Sequence, residues 1–162
     1  MNMKYQLTGE YEIKVDAKGR IKLPANLLKQ LTTAGTYEFV VNRGYEKHLV
    51  LYPQDVWDEK AKELSTLNIN IKKHRQAVRY FHRGATQLVS DSSERVLIPK
   101  PLLQYAGIEK QIVLFAFRDL IEIWSAKAYQ AMIDLEPDDF SDLAEEVLGN
   151  QIQEIKPESE DE

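Results

Sequence analysis

The sequence predicts an α+β fold with a mainly β core, built from two tandem copies of one strand-rich unit, with linking and C-terminal helices. Three observations predict it. First, Val15–Pro24, "VDAKGRIKLP", recurs as Ser90–Pro99, "SDSSERVLIP": Asp16, Arg20 and Pro24 return as Asp91, Arg95 and Pro99, each 75 positions later. Second, apolar and polar residues alternate with a period of two on both sides of that turn, as in half-buried strands. Third, the segments between and after the copies place apolar residues at helical spacing.

Each element follows from local pattern. Tyr11, Ile13 and Val15 alternate with Glu12 and Lys14, and Ile21 and Leu23 alternate with Arg20 and Lys22. Gly19 punctuates the turn between these runs. Pro24 opens a short helical segment, "PANLLKQL", at a position where a missing N–H costs little. "TYEFVVNRGYEKHLVLYP" reads as two strands about an Arg-Gly-Tyr turn. "TQLVS", "RVLIP", "PLLQYAG", "KQIVLFAF" and "LIEIWS" repeat that order. Gly9 matches Gly84 and Leu27-Leu28 match Leu102-Leu103 at the same offset. His48–Trp57 resembles Leu120–Tyr129 at an offset of 72, so three residues are missing from the last hairpin loop of the second copy. Strands this few and short make a poor sheet alone. The two units are therefore expected to pack on each other, with exposed edges covered by the partner unit or by another subunit.

Between the copies, Trp57, Ala61 and Leu64 fit a helix, Asn68 and Asn70 suggest a break, and a second helix starts near Ile71. "AKAYQAMIDL" forms another. "PDDFSDLAEEVLGN" carries acids in its first turn and an apolar face of Phe140, Leu143, Ala144, Val147 and Leu148, with Gly149 as its stop. The expected organisation is a first unit over 7–53, a helical linker over 54–81, a second unit over 82–125, C-terminal helices over 126–149, and an acidic, disordered tail over 150–162.

Composition narrows the function. The 162 residues contain no cysteine, which excludes disulfides, thiolate metal sites and a cysteine nucleophile. His48, His74 and His82 lack metal-ligand spacing, Ser92 and Ser93 lack a nucleophile elbow, and no phosphate-cradling glycine loop occurs. No catalytic residue, metal or cofactor is expected. "MNMKYQLTGEYEIKVD" holds no signal-like run, and no segment approaches the roughly 20 apolar residues of a membrane span, so a cytoplasmic protein without membrane contact is expected. The net charge of −5 divides unevenly: residues 134–162 hold twelve acids and one lysine, leaving residues 1–133 at +6. A basic body suits a polyanion.

The duplicated turn is where that charge concentrates. On strand alternation Lys14, Arg20 and Lys22 point away from Ile13, Val15, Ile21 and Leu23, and Lys18 sits in the turn. One hairpin thus offers four cations beside Asp16. A two-stranded ribbon fits the major groove, arginine can pair bidentately with guanine, and lysines can meet phosphates. Against this stands a plain surface ion pair of Asp16 with Arg20, which contributes little. The second turn, "SDSSER", offers Arg95 as its one cation, either paired with Asp91 or as an auxiliary contact. Arg75, Arg79 and Arg83, with Lys72 one turn earlier, form a second basic stripe on one helix face; it is either solvated, paired with acids of a neighbouring subunit, or a further contact.

"GEYEIKVDAKGRIKLP" (Gly9–Pro24), "FHRGATQLVSDSSERVLIP" (Phe81–Pro99), "LLQYAGIEKQIVLF" (Leu102–Phe115) and "IEIWS" (Ile121–Ser125) resemble the bacterial MraZ family, from about residue 7 to 150. The resemblance implies two tandem AbrB-like swapped-hairpin units. It also implies assembly into a closed homo-oligomeric ring, commonly an octamer, and a nucleoid-associated transcriptional regulator. Such a regulator binds double-stranded DNA at direct repeats upstream of the division and cell-wall gene cluster, usually as a repressor of its own operon. The family's DNA-contacting D-x-x-x-R turn maps onto Asp16, Lys18, Gly19 and Arg20 and onto Asp91 and Arg95. Glu94 departs from the usual D-x-x-G-R form. AbrB-like folds also serve as antitoxins, whose acidic tails wrap a basic protein, and the tail "PESEDE" keeps that alternative open.

Overall fold

The computed structural model of the chain describes residues 4–31 and 35–155, the last six by backbone alone. Two units are distinguished, residues 1–129 and residues 130–162. Among the described residues, all the strands lie in the first. Leu7–Lys14 forms β1, with Leu7 buried and Glu10, Glu12 and Lys14 exposed. The turn that follows leads into β2 (Arg20–Lys22) and the short α1 (Ala25–Leu28), which buries Leu27 and Leu28. β3 (Glu38–Arg43) and β4 (Leu49–Pro53) make a hairpin, closed where the Gly44 N–H donates to the His48 carbonyl at 2.8 Å. After α2 (Gln54–Ser65) and α3 (Lys72–His82), the second copy repeats the order as β5 (Thr86–Val89), β6 (Arg95–Leu97), α4 (Lys100–Tyr105), β7 (Gln111–Arg118) and β8 (Leu120–Ser125). α5 (Ala126–Ile133) follows directly, and its Tyr129 is buried against Val113 and Trp124.

β1 and β2 are sequence neighbours across a short turn, yet they do not form the expected hairpin. β1 lies antiparallel to β7 of the other copy, from Leu7 opposite Arg118 to Lys14 opposite Gln111. β2 pairs with β6, with Ile21 opposite Val96. The chain leaves β1 through a Val15 N–H bond to the Lys110 carbonyl at 2.8 Å and then turns at Asp16, so the turn closes a loop between two sheets. An eight-residue β1 finds an eight-residue partner in β7, which three-residue β2 cannot supply.

The large sheet runs β1-β7-β8-β4-β3-β5, antiparallel throughout. Exchanging the copies (β1 for β5, β3 for β7, β4 for β8) turns this order into itself. A pseudo-two-fold axis therefore passes between β4 and β8, where Val50 faces Glu122. The other copy covers one edge of β3 and of β7. On the outer edge of β1, the Gln30 side chain accepts from the Thr8 N–H at 2.8 Å and donates to the Thr8 carbonyl at 2.9 Å, which satisfies part of an otherwise bare edge.

Both copies contribute to one core. Ile21, Leu23, Leu27, Phe39 and Val41 from the first pack in the same cluster as Val96, Ile98, Leu102, Ile112 and Leu114 from the second. α2 and α3 are separated at residues 66–71, where the two asparagines fall. In the C-terminal unit, α6 (Pro137–Ile155) does not stop at Gly149. A helical glycine costs only about 1 kcal/mol relative to alanine, and Ile152 and Ile155 continue the apolar spacing of the sequence. Of the expected disordered tail, residues 150–155 are helical and residues 156–162 lie outside the described residues. Among the described residues no helix is long and apolar enough to cross a membrane.

Candidate nucleic-acid interface

The first turn is built around one carboxylate. Asp16 Oδ1 accepts the backbone N–H groups of Lys18 at 3.0 Å and Arg20 at 2.8 Å, while Oδ2 accepts Arg20 Nε at 2.7 Å. The Asp16 N–H donates to the Arg20 carbonyl at 2.9 Å and the Gly19 N–H to the Asp16 carbonyl at 3.0 Å. Gly19 sits at φ +88°, and a Cβ there would stand 3.3 Å from the Ile98 carbonyl, so glycine fits on both counts. The backbone hydrogen bond from Arg20 leads the interactions that hold the Asp16 carboxyl below the usual aspartate range, with the Arg20 guanidinium adding to it.

The second turn has the same construction. Asp91 Oδ1 accepts the N–H groups of Ser93 and Arg95, both at 2.9 Å, and Oδ2 accepts Arg95 Nε at 2.9 Å. Here Glu94 takes the glycine's place in a left-handed conformation, φ +61°, at a cost of about 1–2 kcal/mol for a side chain with Cβ. Asp91 is likewise held low, first by the Arg95 backbone N–H. Arg95, expected as a partner of Asp91 or an auxiliary contact, is paired, and Arg20 is paired in the same way, both half-buried. The pair leaves each guanidinium its two terminal amino groups, which is the end that can address a planar pair of acceptors.

β2 and β6 join the two turns into one head. The Leu23 N–H donates to the Glu94 carbonyl and the Ile98 N–H to the Gly19 carbonyl, each at 3.0 Å. Ile21 and Val96, both 1% exposed, form the inner side, and Arg20, Lys22, Arg95 and Leu97 form the outer side. Lys14, Lys18 and Lys22 are exposed, and Arg20 and Arg95 half-buried. The ribbon read from the sequence therefore exists, but one strand comes from each copy. Sequence reasoning gave β6 as a strand, in "RVLIP", but missed its pairing with β2 and the outward place of Leu97. The repeat offset itself, which maps Lys22 onto Leu97, was the signal for them.

The other candidates fall elsewhere. α3 buries no residue; Arg75 donates through Nη1 to the Ile69 carbonyl at 2.9 Å, and Arg79 and Arg83 are exposed. His48 is buried, stacked on Trp124 at 4.3 Å, with Nε2 3.2 Å from Glu122. Among the described residues no cluster of histidines and carboxylates could hold a metal ion.

Comparison with known proteins defines the class: this is a transcriptional regulator, and its relatives are not enzymes. The family described as "MraZ protein, putative antitoxin-like" matches residues 6–80 and again residues 81–151. The chain is 43% identical over 145 residues to the transcriptional regulator MraZ of Christiangramia forsetii, covering 89% of this chain and 94% of that one. It is 41% identical to the protein of the same name from Flavobacterium psychrophilum, covering 89% and 92%, and 35% identical to that of Halothermothrix orenii, covering 84% and 92%. The chain belongs to the MraZ family.

Proposed function

We propose that the chain is a sequence-specific DNA-binding repressor. In this reading it acts in the cytoplasm on the nucleoid, as a ring-shaped homo-oligomer of octamer type, at direct repeats upstream of the division and cell-wall gene cluster. The observation that carries the reading is the composite ribbon, on which two carboxylate-fixed arginines and Lys22 share one outward face. Arg20 and Arg95 address guanine N7 and O6, while Lys14, Lys18 and Lys22 meet phosphates. One such head touches few base pairs and binds weakly alone. Several identical heads on repeated sites gain through effective concentration when the repeat spacing matches the head spacing. A closed ring provides that number of heads and buries surface a lone chain leaves bare.

The test is an electrophoretic shift with DNA from upstream of the protein's own gene. Arg20→Ala should weaken specific binding by roughly 10-fold to 100-fold, the range for one bidentate base contact, with the oligomer mass unchanged. Equal affinity in variant and wild type rejects the reading. The second reading, an antitoxin-type protein-binding module, draws on α6, which exposes Phe140, Leu143, Val147 and Leu148 beside five acids from Asp138 to Glu146. Removal of residues 137–162 separates the two: a DNA regulator keeps promoter binding, whereas an antitoxin loses its protein partner.

A further inference from the structure

The repeat relates positions on the head that are chemically unlike. Arg20 and Arg95 correspond to each other, but at the same offset Lys18, Gly19 and Lys22 correspond to Ser93, Glu94 and Leu97. The β2–β6 register puts Leu97 directly across from Arg20, and Lys22 directly across from Arg95. Leu97 lies along the first turn, with its Cδ1 3.8 Å from the point a Cβ would occupy at Gly19. It is 55% exposed, whereas its neighbours Val96 and Ile98 are 1% and 2% exposed, so it faces outward with the arginines. One end of the head is therefore Lys18, Arg20 and Leu97. The other is Arg95, Lys22 and Glu94.

An exposed leucine beside a displayed guanidinium leaves apolar surface in water at one end of a cationic face. A partner that covers it must carry a small apolar group next to hydrogen-bond acceptors and must be anionic overall. The major groove of duplex DNA has that combination where thymine, with its C5 methyl, adjoins guanine, with N7 and O6. We propose that Leu97 is a specificity-determining residue. It contacts the methyl of a thymine next to the guanine addressed by Arg20, while the Arg95–Lys22 end meets acceptors only. The inference rests on the DNA-binding reading above. Its consequence is direction: a head with unlike ends reads a non-palindromic element and fixes which way each chain lies on the duplex.

The experiment first selects sites for the full-length protein from a random duplex library. Each thymine of the selected element is then replaced by deoxyuridine, which removes only the C5 methyl. For the wild type, one thymine beside the Arg20-dependent guanine should lose about fourfold in affinity on replacement, the weight of one buried methyl-sized group. For Leu97→Ala the same replacement should change nothing, and Leu97→Lys should select a more nearly self-complementary element. Leu97 is exposed, so Leu97→Ala should melt as the wild type does. Four results overturn the inference while leaving DNA binding intact: a self-complementary wild-type element, no methyl-dependent thymine, a methyl effect that persists in Leu97→Ala, or a change of oligomer mass in Leu97→Ala. Failure of the wild type to select any element defeats the DNA-binding reading itself.

Discussion

Asp16 carries the same formal charge as any phosphate it would face, and a count of charges alone makes it a defect in a DNA-binding head. Its contacts argue otherwise. Three donors of the turn converge on its two oxygens, among them Arg20 Nε, so the carboxylate fixes the direction of the guanidinium before any ligand arrives. This separates two expectations for Asp16→Asn. If the head is a diffuse cationic patch, removing a negative charge strengthens binding. If it is a positioned reader, an amide that cannot accept the same three donors lets Arg20 wander, and affinity for the specific site falls by roughly tenfold, a fraction of one bidentate contact, although the chain has become more cationic. Titration of specific and random duplexes by fluorescence anisotropy decides between them. The clamp is also a feature of neutral solution. Its carboxyls are held below the ordinary aspartate range, so the stability they lend is complete above the unfolded-state pKa near 3.9 and fades only as the pH falls through their lowered folded values. The same turns show what could be read without coordinates. Alternation fixed the outward placement of Lys14 and Lys22 and the inward placement of Ile21 and Leu23, because it depends on the strand alone. Glu94 was harder: a side chain in a left-handed conformation leaves no mark in the sequence, where the residue shows only as a departure from the glycine at Gly19.

At the scale of elements, the pairing of strands was the part the sequence withheld. Period-two patterns say which face of a strand is buried but not which strand lies beside it. A short turn between two strands ordinarily means a hairpin, and for β3 and β4 it does. For β1 and β2 it does not, and their actual partners lie some 75–110 residues away in sequence. Helix ends were likewise less legible than helix existence: α2, α3 and the break between them followed the apolar spacing, whereas Gly149 was too weak a breaker to end α6. The β2–β6 ribbon has only three paired residues per strand, so it cannot hold its shape by hydrogen bonds alone. Its central pair, Ile21 over Val96, anchors it to the shared core. Ile21→Ala removes most of a side chain that is 1% exposed and should destabilise the protein by about 2–5 kcal/mol. Because one core residue supports both turns, DNA affinity should also fall in any molecules that remain folded. Chemical denaturation with a parallel anisotropy titration measures both. Loss of stability with full affinity per folded molecule would show that the turns hold themselves up without the ribbon.

The strand-bearing unit, the larger part of the molecule, is a dimer of half-chains written as one polypeptide. Among the described residues, four of the six strand pairings, β1–β7, β2–β6, β3–β5 and β4–β8, join one copy to the other, and only β3–β4 and β7–β8 lie within a copy. A half-chain standing alone keeps its two-stranded hairpin, which is marginal in water, and exposes the apolar residues that now meet across the pseudo-two-fold axis. A chain cut in the exposed segment between α2 and α3, after Asn70, should therefore give two fragments, neither of which folds as a monomer. Mixed, they should recover the near-ultraviolet circular dichroism of the intact protein, and native mass spectrometry should find both fragments in equal number. The covalent link makes their meeting intramolecular, with an effective concentration in the millimolar range for a short connection. Half-assembly of the fragments should accordingly shift with concentration, and dilution to the nanomolar range should unfold them while the intact chain keeps its sheet. A cooperatively folding, monomeric fragment would contradict this account, since it would mean that the strand pairings between copies are dispensable.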